Sequence, residues 1–518
     1  MNLHIDNQPI TLGELRQAWQ HPVRISLGDK ARHAIEASHT VVAEVVKRGK
    51  QVYGINTGFG QLAQVKISDD ELSHLQVNLV RSHAVGVGCL LPDEVVRLIM
   101  IMKVVALAQG YSGVSLALVE GLCALVNHNI YPVVPSKGSV GASGDLAPLA
   151  HMAGALLGYG DVRVNGAQLP AVTALKKAAI KPLDLGPKEG LALLNGTQVS
   201  TALALSAVFR TEHVLAASIA AGAMAADAIK GSDTPFDPRI QELRRHPGQI
   251  AVARLLRELM QGSEIRASHL ECSRVQDPYS IRCQPQVAGA CLDVLNHVAR
   301  LLATEANAVT DNPLVFADTS SVLSGGNFHA EPVALAADYL ALAIAETGSL
   351  SERRVALLID AHLSGLPAFL VKDSGLNSGF MMAQVTAAAL VSENKSLAHP
   401  ASVDSIPTSA NQEDHVSMAT FAAMRLHSML DNAAHIVAIE LLAAAQGIEF
   451  HHPQASSATI EQIITGIRKV SAHYNDDRSL SSEIESLAQL INDGFFYSHA
   501  AGILPSATSA TSAASATE

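Results

Sequence analysis

Residues 198–229 read QVSTALALSAVFRTEHVLAASIAAGAMAADAI, and this stretch decides the predicted fold. Its apolar residues recur with helical periodicity over 32 positions, which predicts one long helix. Arg210, Glu212 and His213 interrupt the apolar run, so it is typical of a buried bundle helix rather than a membrane span. The abundance of alanine favours close approach of one helix to another.

Other segments of the same kind predict that helices dominate the chain. Long apolar-periodic segments lie at about 284–308, 331–362, 379–398 and 413–447. Shorter helices are expected at about 12–20, 30–48, 69–85, 93–109 and 113–128. The residues Thr11 and Glu14 match a capping box, as do Ser68 and Glu71, because each side chain can satisfy the other's backbone donor.

Strand signals are few and short. An Asn165-Gly166 turn predicts a hairpin over 161–168, and a second hairpin is expected within 313–323. The fold class is therefore mainly α: a central bundle of long helices with an N-terminal globular, loop-rich region and a few short β-hairpins.

The length of 518 residues predicts about three folding units of about 150 residues each, although long helices can merge them. We expect an N-terminal region at 1–195, long helices and C-terminal helices at 196–504, and a disordered Ser/Thr/Ala-rich tail at 505–518. Polar, glycine-rich stretches at 53–60, 136–145 and 324–331 interrupt the helices, and functional residues are over-represented on such loops.

The composition excludes several classes of function. The formal net charge is −12 without a basic run, which disfavours binding to nucleic acid or to anionic membranes. No secretory signal is visible, and the five cysteines include no C-x-x-C pair, so reduced thiols and a cytoplasmic location are expected. The 22 histidines are scattered and form no H-E-x-x-H motif, so no essential metal is expected.

The segment Gly138–His151, GSVGASGDLAPLAH, carries the most chemistry. It lacks the G-x-x-x-x-G-K-[ST] pattern of a phosphate loop, and it lacks G-x-S-x-G because Asp145 stands where the last glycine would be. One interpretation is a glycine loop in which Asp145 caps the following helix. Another is chemical: the nitrogen of Gly144 can attack the carbonyl carbon of Ala142, and loss of water from the ring and from Ser143 leaves an exocyclic alkene.

Six motifs together resemble the aromatic amino acid ammonia-lyase family over nearly the whole chain. They begin with Tyr53-Gly-Ile-Asn-Thr-Gly-Phe-Gly60, Gly141-Ala-Ser-Gly-Asp145 and Gly190-Leu-Ala-Leu-Leu-Asn195-Gly-Thr197. They continue with Gln276-Asp-Pro-Tyr279-Ser-Ile-Arg282, Gly325-Gly-Asn-Phe328-His329 and Asn411-Gln-Glu413-Asp-His415. The resemblance implies loss of ammonia from an α-amino acid with removal of a β-proton, in a homotetramer whose active sites each draw on three chains.

The resemblance also implies the catalytic residues. The β-proton is barely acidic, so an electrophile must first activate the substrate. The family's electrophile is 4-methylidene-imidazol-5-one, which here would form autocatalytically from Ala142-Ser143-Gly144. Tyr279 matches the family's base, and this role requires neighbours that stabilise a phenolate. Tyr53 matches a residue that lines the site, and Arg282 matches a carboxylate clamp whose planar fork suits a bidentate grip.

The resemblance also implies the substrate contacts. Asn195, Gln276 and Phe328 match residues that line the site, while Asp145 matches a residue linked to ring formation. His83, in a Ser-His pair, stands where the phenylalanine enzymes usually carry Phe-Leu and the tyrosine enzymes His-Leu. Glu413 stands where aromatic-specific relatives commonly carry glutamine, and its carboxylate can accept an imidazole N–H. With Met381 as an apolar contact, these residues imply conversion of L-histidine to trans-urocanate and ammonia, the first step of histidine degradation.

Three alternatives stay open at this stage. A tyrosine or phenylalanine ammonia-lyase, or an aminomutase of the same family, would keep the chemistry and change the substrate or the product; Glu413 argues against these. The fumarase and aspartase lyases share long helices, but their G-S-S-x-M-P-x-K loop is missing. A non-enzymatic helical scaffold would have no need for these residues together.

The cyclisation predicts a change in mass. The tryptic peptide Gly138–Arg163 of the purified protein should be lighter than its sequence by two water molecules. The same peptide from Ser143→Ala should have its unmodified mass, because serine supplies the hydroxyl that is eliminated, and this variant should fold but lose nearly all activity. An unmodified mass in the wild-type peptide would rule out the self-made electrophile.

Overall fold

The computed structural model describes residues 1–49, 51–58, 64, 66–269 and 275–507. Within these ranges four helices exceed 20 residues: Gln198–Ala228, Gln284–Ala306, Glu331–Ile359 and Ala419–Glu449. Helices of intermediate length are Leu12–Gln20, Asp29–Lys47, Leu72–His83, Asp93–Ala108, Leu116–Asn127, Leu146–Leu156, Pro247–Met260, Met381–Leu397, Ala458–Arg468 and Ser481–Asn492. Shorter α-helices are Ala171–Lys177, Glu189–Leu194, Pro238–Arg244, Glu264–Ala267, Tyr279–Arg282, Ala361–Ser364 and Tyr497–Ala500. Single 3₁₀ turns are Asp69–Glu71, Thr234–Phe236, Ala368–Leu370, Ser409–Asn411 and Ala501–Ile503.

The strands of the described residues form small, separate sheets. Asn2–Ile5 pairs in parallel with Arg24–Leu27, and Val87–Leu90 pairs antiparallel with Pro135–Lys137. Ile130–Pro132, Asp161–Val164 and Ala167–Pro170 form a three-stranded antiparallel sheet, and Leu314–Phe316 pairs with Ser321–Leu323. Both predicted hairpins are present. Asn165 and Gly166 have φ of 50° and 78°, as the tight turn between the strands requires.

The prediction of a mainly helical fold with a bundle of long helices is confirmed, and side-chain contacts show how the helices join. The buried guanidinium of Arg354 donates to the carboxylate of Glu440 at 2.8 Å and to the carbonyl oxygen of Ser218 at 3.2 Å. These contacts link Glu331–Ile359, Ala419–Glu449 and Gln198–Ala228. A buried pair of this kind is costly to desolvate, so it is retained only where further hydrogen bonds complete it.

Two local predictions need correction. The helix expected from 413 begins at Ala419, because residues 408 and 413 form a β-bridge and Met418 has φ of 56°. The capping box at Ser68 does not form: its hydroxyl donates to the Glu71 carboxylate at 2.6 Å instead of accepting from the backbone. The box at Thr11 and Glu14 is confirmed.

Contacts between Cα atoms divide the chain into two compact units. The first unit comprises Met1–Ser206, Arg300–Asp338 and Pro400–Met424; the second comprises Ala207–Ala299, Tyr339–His399 and Arg425–Glu518. The predicted domains, 1–195 and 196–504, are each one contiguous segment, whereas each of the two units combines three segments. The predicted domain boundaries therefore stay a prediction. The tail expected to be disordered at 505–518 falls mostly on residues 508–518, outside the described residues.

The four longest helices of the described chain are also long and apolar enough to cross a membrane, judged by length and composition alone. The most apolar window of Gln198–Ala228 is 94% buried within the chain, as expected of a bundle helix. The corresponding window of Gln284–Ala306 is only 39% buried, so much of this helix is partly exposed within the described residues.

Candidate active site

The backbone carbonyl groups of the loop 138–145 accept hydrogen bonds from two other segments of the first unit. The carbonyl oxygen of Gly141 accepts from the backbone of Ala330 at 3.1 Å and from the hydroxyl of Ser417 at 3.0 Å. The amide of Met418 donates to the carbonyl of Val140 at 2.8 Å. Residues almost 280 positions apart in the sequence therefore fix the conformation of this loop.

Gly144 is required by its conformation and by its surroundings. Its φ is +75°, and a Cβ added there would lie 2.3 Å from the carbonyl oxygen of Gly196. The two glycines pair as a parallel β-bridge, and the amide of Asp145 donates to Gly196 at 2.8 Å. Only a residue without a side chain can place the backbone of this tripeptide so close to another strand of chain.

Asp145 is fully buried and acts as a cap, although not for the helix that follows it. Its carboxylate accepts from the backbone amides of Val199 and Ser200 at 3.0 and 2.8 Å, at the start of Gln198–Ala228. It also accepts from the hydroxyls of Ser139, Ser200 and Thr420, at 2.8, 3.0 and 2.7 Å. The prediction that Asp145 caps the following helix is wrong: it makes no capping bond to Leu146–Leu156 and instead caps a helix about 50 residues further on.

Ser143 faces two of the predicted site residues. The side-chain amide of Asn195 donates to the carbonyl oxygen of Ser143 at 2.6 Å, and the hydroxyl of Ser143 donates to the carboxylate of Glu413. Asn195 is buried, and within the described residues its Oδ1 atom has no hydrogen-bond partner. The tripeptide, the amide and the carboxylate therefore meet at one place.

Glu413 is held in its ionised form. Its second carboxylate oxygen accepts from the hydroxyls of Thr408 and Ser409 at 2.5 and 2.8 Å. Burial by itself would raise the pKa of Glu413, but the hydrogen bonds from Ser143, Thr408 and Ser409 outweigh it and bring this pKa below its usual range. A charged acceptor is therefore present beside the tripeptide at neutral pH.

His83, at the end of Leu72–His83, lies close enough to Glu413 for their charges to interact. Burial lowers the pKa of His83, against the opposing effects of its bond to Leu79 and of Glu413. The Nδ1 atom lies 2.9 Å from the carbonyl oxygen of Leu79, so Nδ1 carries the proton in the neutral ring. The other nitrogen, Nε2, is then an acceptor.

The remaining predicted residues fall into two groups. In the first unit, Tyr53 and Phe328 are both half-buried. Tyr53 lies in the turn that opens its motif, and the end of that motif at 59–60 lies outside the described residues. The second unit contains Gln276, Tyr279, Arg282 and Met381. The exposed fraction of Tyr279 is 74%, and the guanidinium of Arg282 lies 5.9 Å from the centre of its ring. The site predicted from sequence is thus only partly gathered in the first unit.

A cavity of about 490 Å³ lies beside the second group, and Gln276 and Arg282 are among its lining residues. Lys230 and Arg266 line it too, against the single carboxylate of Asp277, so cationic side chains outnumber acidic ones in its wall. A basic wall suits a carboxylate.

Sequence reasoning missed the residues that support this site. Thr408 and Ser409 hold Glu413, Thr420 holds Asp145, and Lys103 lies beneath Asn195. The buried ammonium of Lys103 donates to the carbonyl oxygens of Ala192 and Asn195 at 3.2 and 2.8 Å. The sequence does carry a sign that Lys103 is buried, because this basic residue has five apolar residues on each side.

The geometry fits the cyclic electrophile that the tripeptide can form. The positive φ of Gly144 and its glycine-to-glycine contact leave no room for a larger residue at this position. The carbonyl oxygen of Ser143, which would stay as the ring carbonyl, already accepts a hydrogen bond from Asn195. The Oδ1 atom of Asn195 has no hydrogen-bond partner within the described residues, so it can accept a hydrogen bond from a bound molecule.

Comparison with known proteins agrees with these features. The sequence profile described as aromatic amino acid lyase matches residues 10–469. The histidine ammonia-lyase of Desulfotalea psychrophila is 56% identical over 498 residues, covering 96% of this chain and 97% of that protein. The crystal structure of histidine ammonia-lyase from Trypanosoma cruzi has a TM-score of 0.89 and 40% identity, covering 98% and 96% of the two chains. Tyrosine aminomutase from Streptomyces globisporus has a TM-score of 0.90 and 33% identity, covering 96% and 98%.

The fold and these comparisons identify a mainly helical lyase that acts on carbon–nitrogen bonds. The chain belongs to the aromatic amino acid lyase family, as the match over residues 10–469 shows.

The burial of Lys103 predicts a pH-dependent stability. Burial lowers the pKa of Lys103 from 10.5 to about 7, although the carboxylates of Asp311 and Asp145 oppose this shift. Between these pH values the unfolded chain binds a proton that the folded chain does not, so the free energy of unfolding rises with pH. Lys103→Met removes this contribution. The stability of wild type relative to the variant should therefore rise by up to about 1.4 kcal/mol per pH unit above pH 7.

Urea denaturation of both proteins at pH 6, 7, 8 and 9 measures this difference. Below pH 7 both states of Lys103 are protonated, so the difference should be constant there. Parallel stability curves across the whole range would show that the ammonium keeps its charge in the fold.

Proposed function

We propose that this chain removes ammonia from L-histidine to give trans-urocanate. The observation that carries the proposal is the position of Glu413 beside Ser143, because a carboxylate fixed by Thr408 and Ser409 is a strong acceptor for the N–H of an imidazole ring. The name of the Desulfotalea psychrophila relative, 56% identical over nearly the full length, supports the same substrate.

We propose further that Ala142-Ser143-Gly144 cyclises to 4-methylidene-imidazol-5-one. The group supplies an electrophilic alkene, which no ordinary side chain provides. Asn195 would hold it by donating to the former carbonyl oxygen of Ser143, and Gly196 would pack against the Gly144 side. Membership of the family supports this proposal.

Glu413 and His83 form the proposed recognition site for the imidazole of the substrate. Cyclisation consumes the hydroxyl of Ser143, so the Glu413 oxygen that accepts from it becomes available to the substrate. Thr408 and Ser409 keep the other oxygen in place. Nε2 of His83, an acceptor in the neutral ring, offers a second partner for an imidazole N–H.

Residues of the second unit, contributed by another chain, are proposed for the other end of the substrate. Arg282 would grip the carboxylate, since its cavity is lined by further cationic groups. Tyr279 would take the β-proton, Tyr53 would orient the substrate, and Gln276, Phe328 and Met381 would line the site. An aminomutase is a weaker candidate, because the tyrosine aminomutase structure is only 33% identical to the chain.

A homotetramer with shared active sites is proposed to complete the site. Within the described residues, the side chain of Tyr279 is 74% exposed, and only 39% of the apolar window of Gln284–Ala306 is buried. A second chain would cover both. We also propose a cytoplasmic location, which agrees with Cys89, Cys123, Cys283 and Cys291 being unpaired.

Glu413→Gln tests the choice of substrate. The change keeps the shape of the side chain and removes its charge, and a charge-assisted hydrogen bond contributes about 1.5–3 kcal/mol. Turnover of L-histidine should therefore fall by about 10- to 150-fold, and further if the carboxylate takes part in proton transfer. Trace activity on tyrosine or phenylalanine should stay level or rise. The measurement is the appearance of urocanate.

The exposed neighbour Asp414 provides the control, and Asp414→Asn should retain much more activity than Glu413→Gln. If Glu413→Gln deaminates histidine at the wild-type rate, Glu413 does not select the substrate; if the wild type prefers tyrosine, histidine is not the preferred substrate. The family and its chemistry would survive that result.

Subunit mixing tests the shared site. Tyr53→Phe and Tyr279→Phe chains should each be inactive alone, and dissociating and reassembling them together should restore part of the activity. Some mixed sites then receive both tyrosines from different chains. Demonstrated mixing without recovered activity would show that each site takes both tyrosines from one chain.

A further inference from the structure

Three metal-ligating side chains of the first unit cluster outside the residues assigned to the reaction. They are His329, Glu331 and His415, and one ligand atom from each lies within 4.8 Å of the others. The two imidazole rings are stacked with their centres 5.5 Å apart, and Nε2 of His415 lies 3.9 Å from Oε2 of Glu331. The cluster joins two segments that are distant in sequence. Nε2 of His329 also lies 3.2 Å from the carbonyl oxygen of His415.

One oxygen of the Glu331 carboxylate lacks a hydrogen-bond donor within the described residues. Its Oε2 atom is buried and has no hydrogen-bond partner within the described residues, and 3.9 Å to His415 is too long for a hydrogen bond. A buried carboxylate oxygen without a donor costs free energy, and a cation placed between it and the imidazoles would remove that cost.

His415 is already oriented as a ligand. Its Nδ1 atom lies 3.4 Å from the hydroxyl of Ser405, which leaves Nε2 directed towards Glu331. Metal-binding histidines commonly use one nitrogen for the metal and the other for a hydrogen bond that fixes the ring. The side chain of His415 is 67% exposed, so it can move without disturbing the core.

We propose that His329, Glu331 and His415 bind one divalent transition-metal ion, for which Zn²⁺ is the best match. Two imidazoles and one carboxylate are a frequent ligand set for Zn²⁺, with water in the fourth position. Ligand atoms around tetrahedral zinc lie about 3.4 Å apart, given bonds of about 2.1 Å. The present separations of up to 4.8 Å therefore require a modest closure of the cluster.

The ion would connect the two segments that carry predicted site residues. His329 directly follows Phe328, and His415 lies two residues after Glu413. Glu331 is the first residue of Glu331–Ile359, where the helix dipole disfavours a cation, so the carboxylate must offset that repulsion. The proposed role of the ion is to hold the two segments together, since none of its three ligands is among the residues assigned to bond breaking.

The test titrates Zn²⁺ into the full-length, chelator-treated protein by calorimetry, with Mg²⁺ as the oxygen-preferring comparison. One Zn²⁺ should bind per chain and raise the melting temperature, whereas Mg²⁺ should do neither. His415→Ala and Glu331→Gln should each lower the affinity for Zn²⁺ by at least about 100-fold, since loss of even an outer-shell partner costs about 10- to 100-fold. Circular dichroism confirms that the variants fold.

The matched control is His435→Ala, which removes another histidine that pairs with a glutamate, Glu485, at 3.0 Å. This variant should bind Zn²⁺ as the wild type does. Absence of binding to the wild type, or unchanged binding to His415→Ala and Glu331→Gln, would overturn the proposal. Intense near-ultraviolet absorption of the Co²⁺ complex would also overturn it, because that signal indicates thiolate ligands. None of these outcomes depends on which substrate the enzyme uses.

Discussion

The buried carboxylate of Asp145 is the group on which the other contacts of the loop 138–145 depend. It accepts hydrogen bonds from the first residues of Gln198–Ala228 and from Thr420 at the start of Ala419–Glu449. A buried carboxylate is stable only if such donors replace the water it has lost. The loop, the two helix starts and the tripeptide can therefore take their positions only together.

The same constraint operates one layer below the site. Lys103 places a buried ammonium against the carbonyl oxygen of Asn195, whose side chain in turn holds Ser143. Burying this group is unfavourable, as its lowered pKa shows, and the two carbonyl acceptors reduce the cost. The burial of Lys103 therefore lowers the stability of the fold, while its hydrogen bond fixes the backbone of Asn195 beneath the tripeptide. Such local costs are common where a site must be preorganised.

Helices and hairpins were predictable to within a few residues because their signals are local. Apolar periodicity located Gln198–Ala228, and the Asn165-Gly166 pair located a turn that only positive φ allows. The predicted helix start at 413 was wrong because Glu413 pairs with Thr408 before the helix begins at Ala419. The capping box at Ser68 does not form because its hydroxyl donates to the carboxylate of Glu71 and accepts no bond from the backbone of the helix.

The sequence by itself determined the helical class, and its short, contiguous motifs predicted the tripeptide and residues such as Asn195 and Glu413. Only the tertiary structure decided which groups support them. Thr420 lies 275 positions from Asp145, and Lys103 lies 92 positions from Asn195. No local pattern records such pairs. They exist because a buried polar group must find its partner wherever the packed helices bring one within about 3 Å.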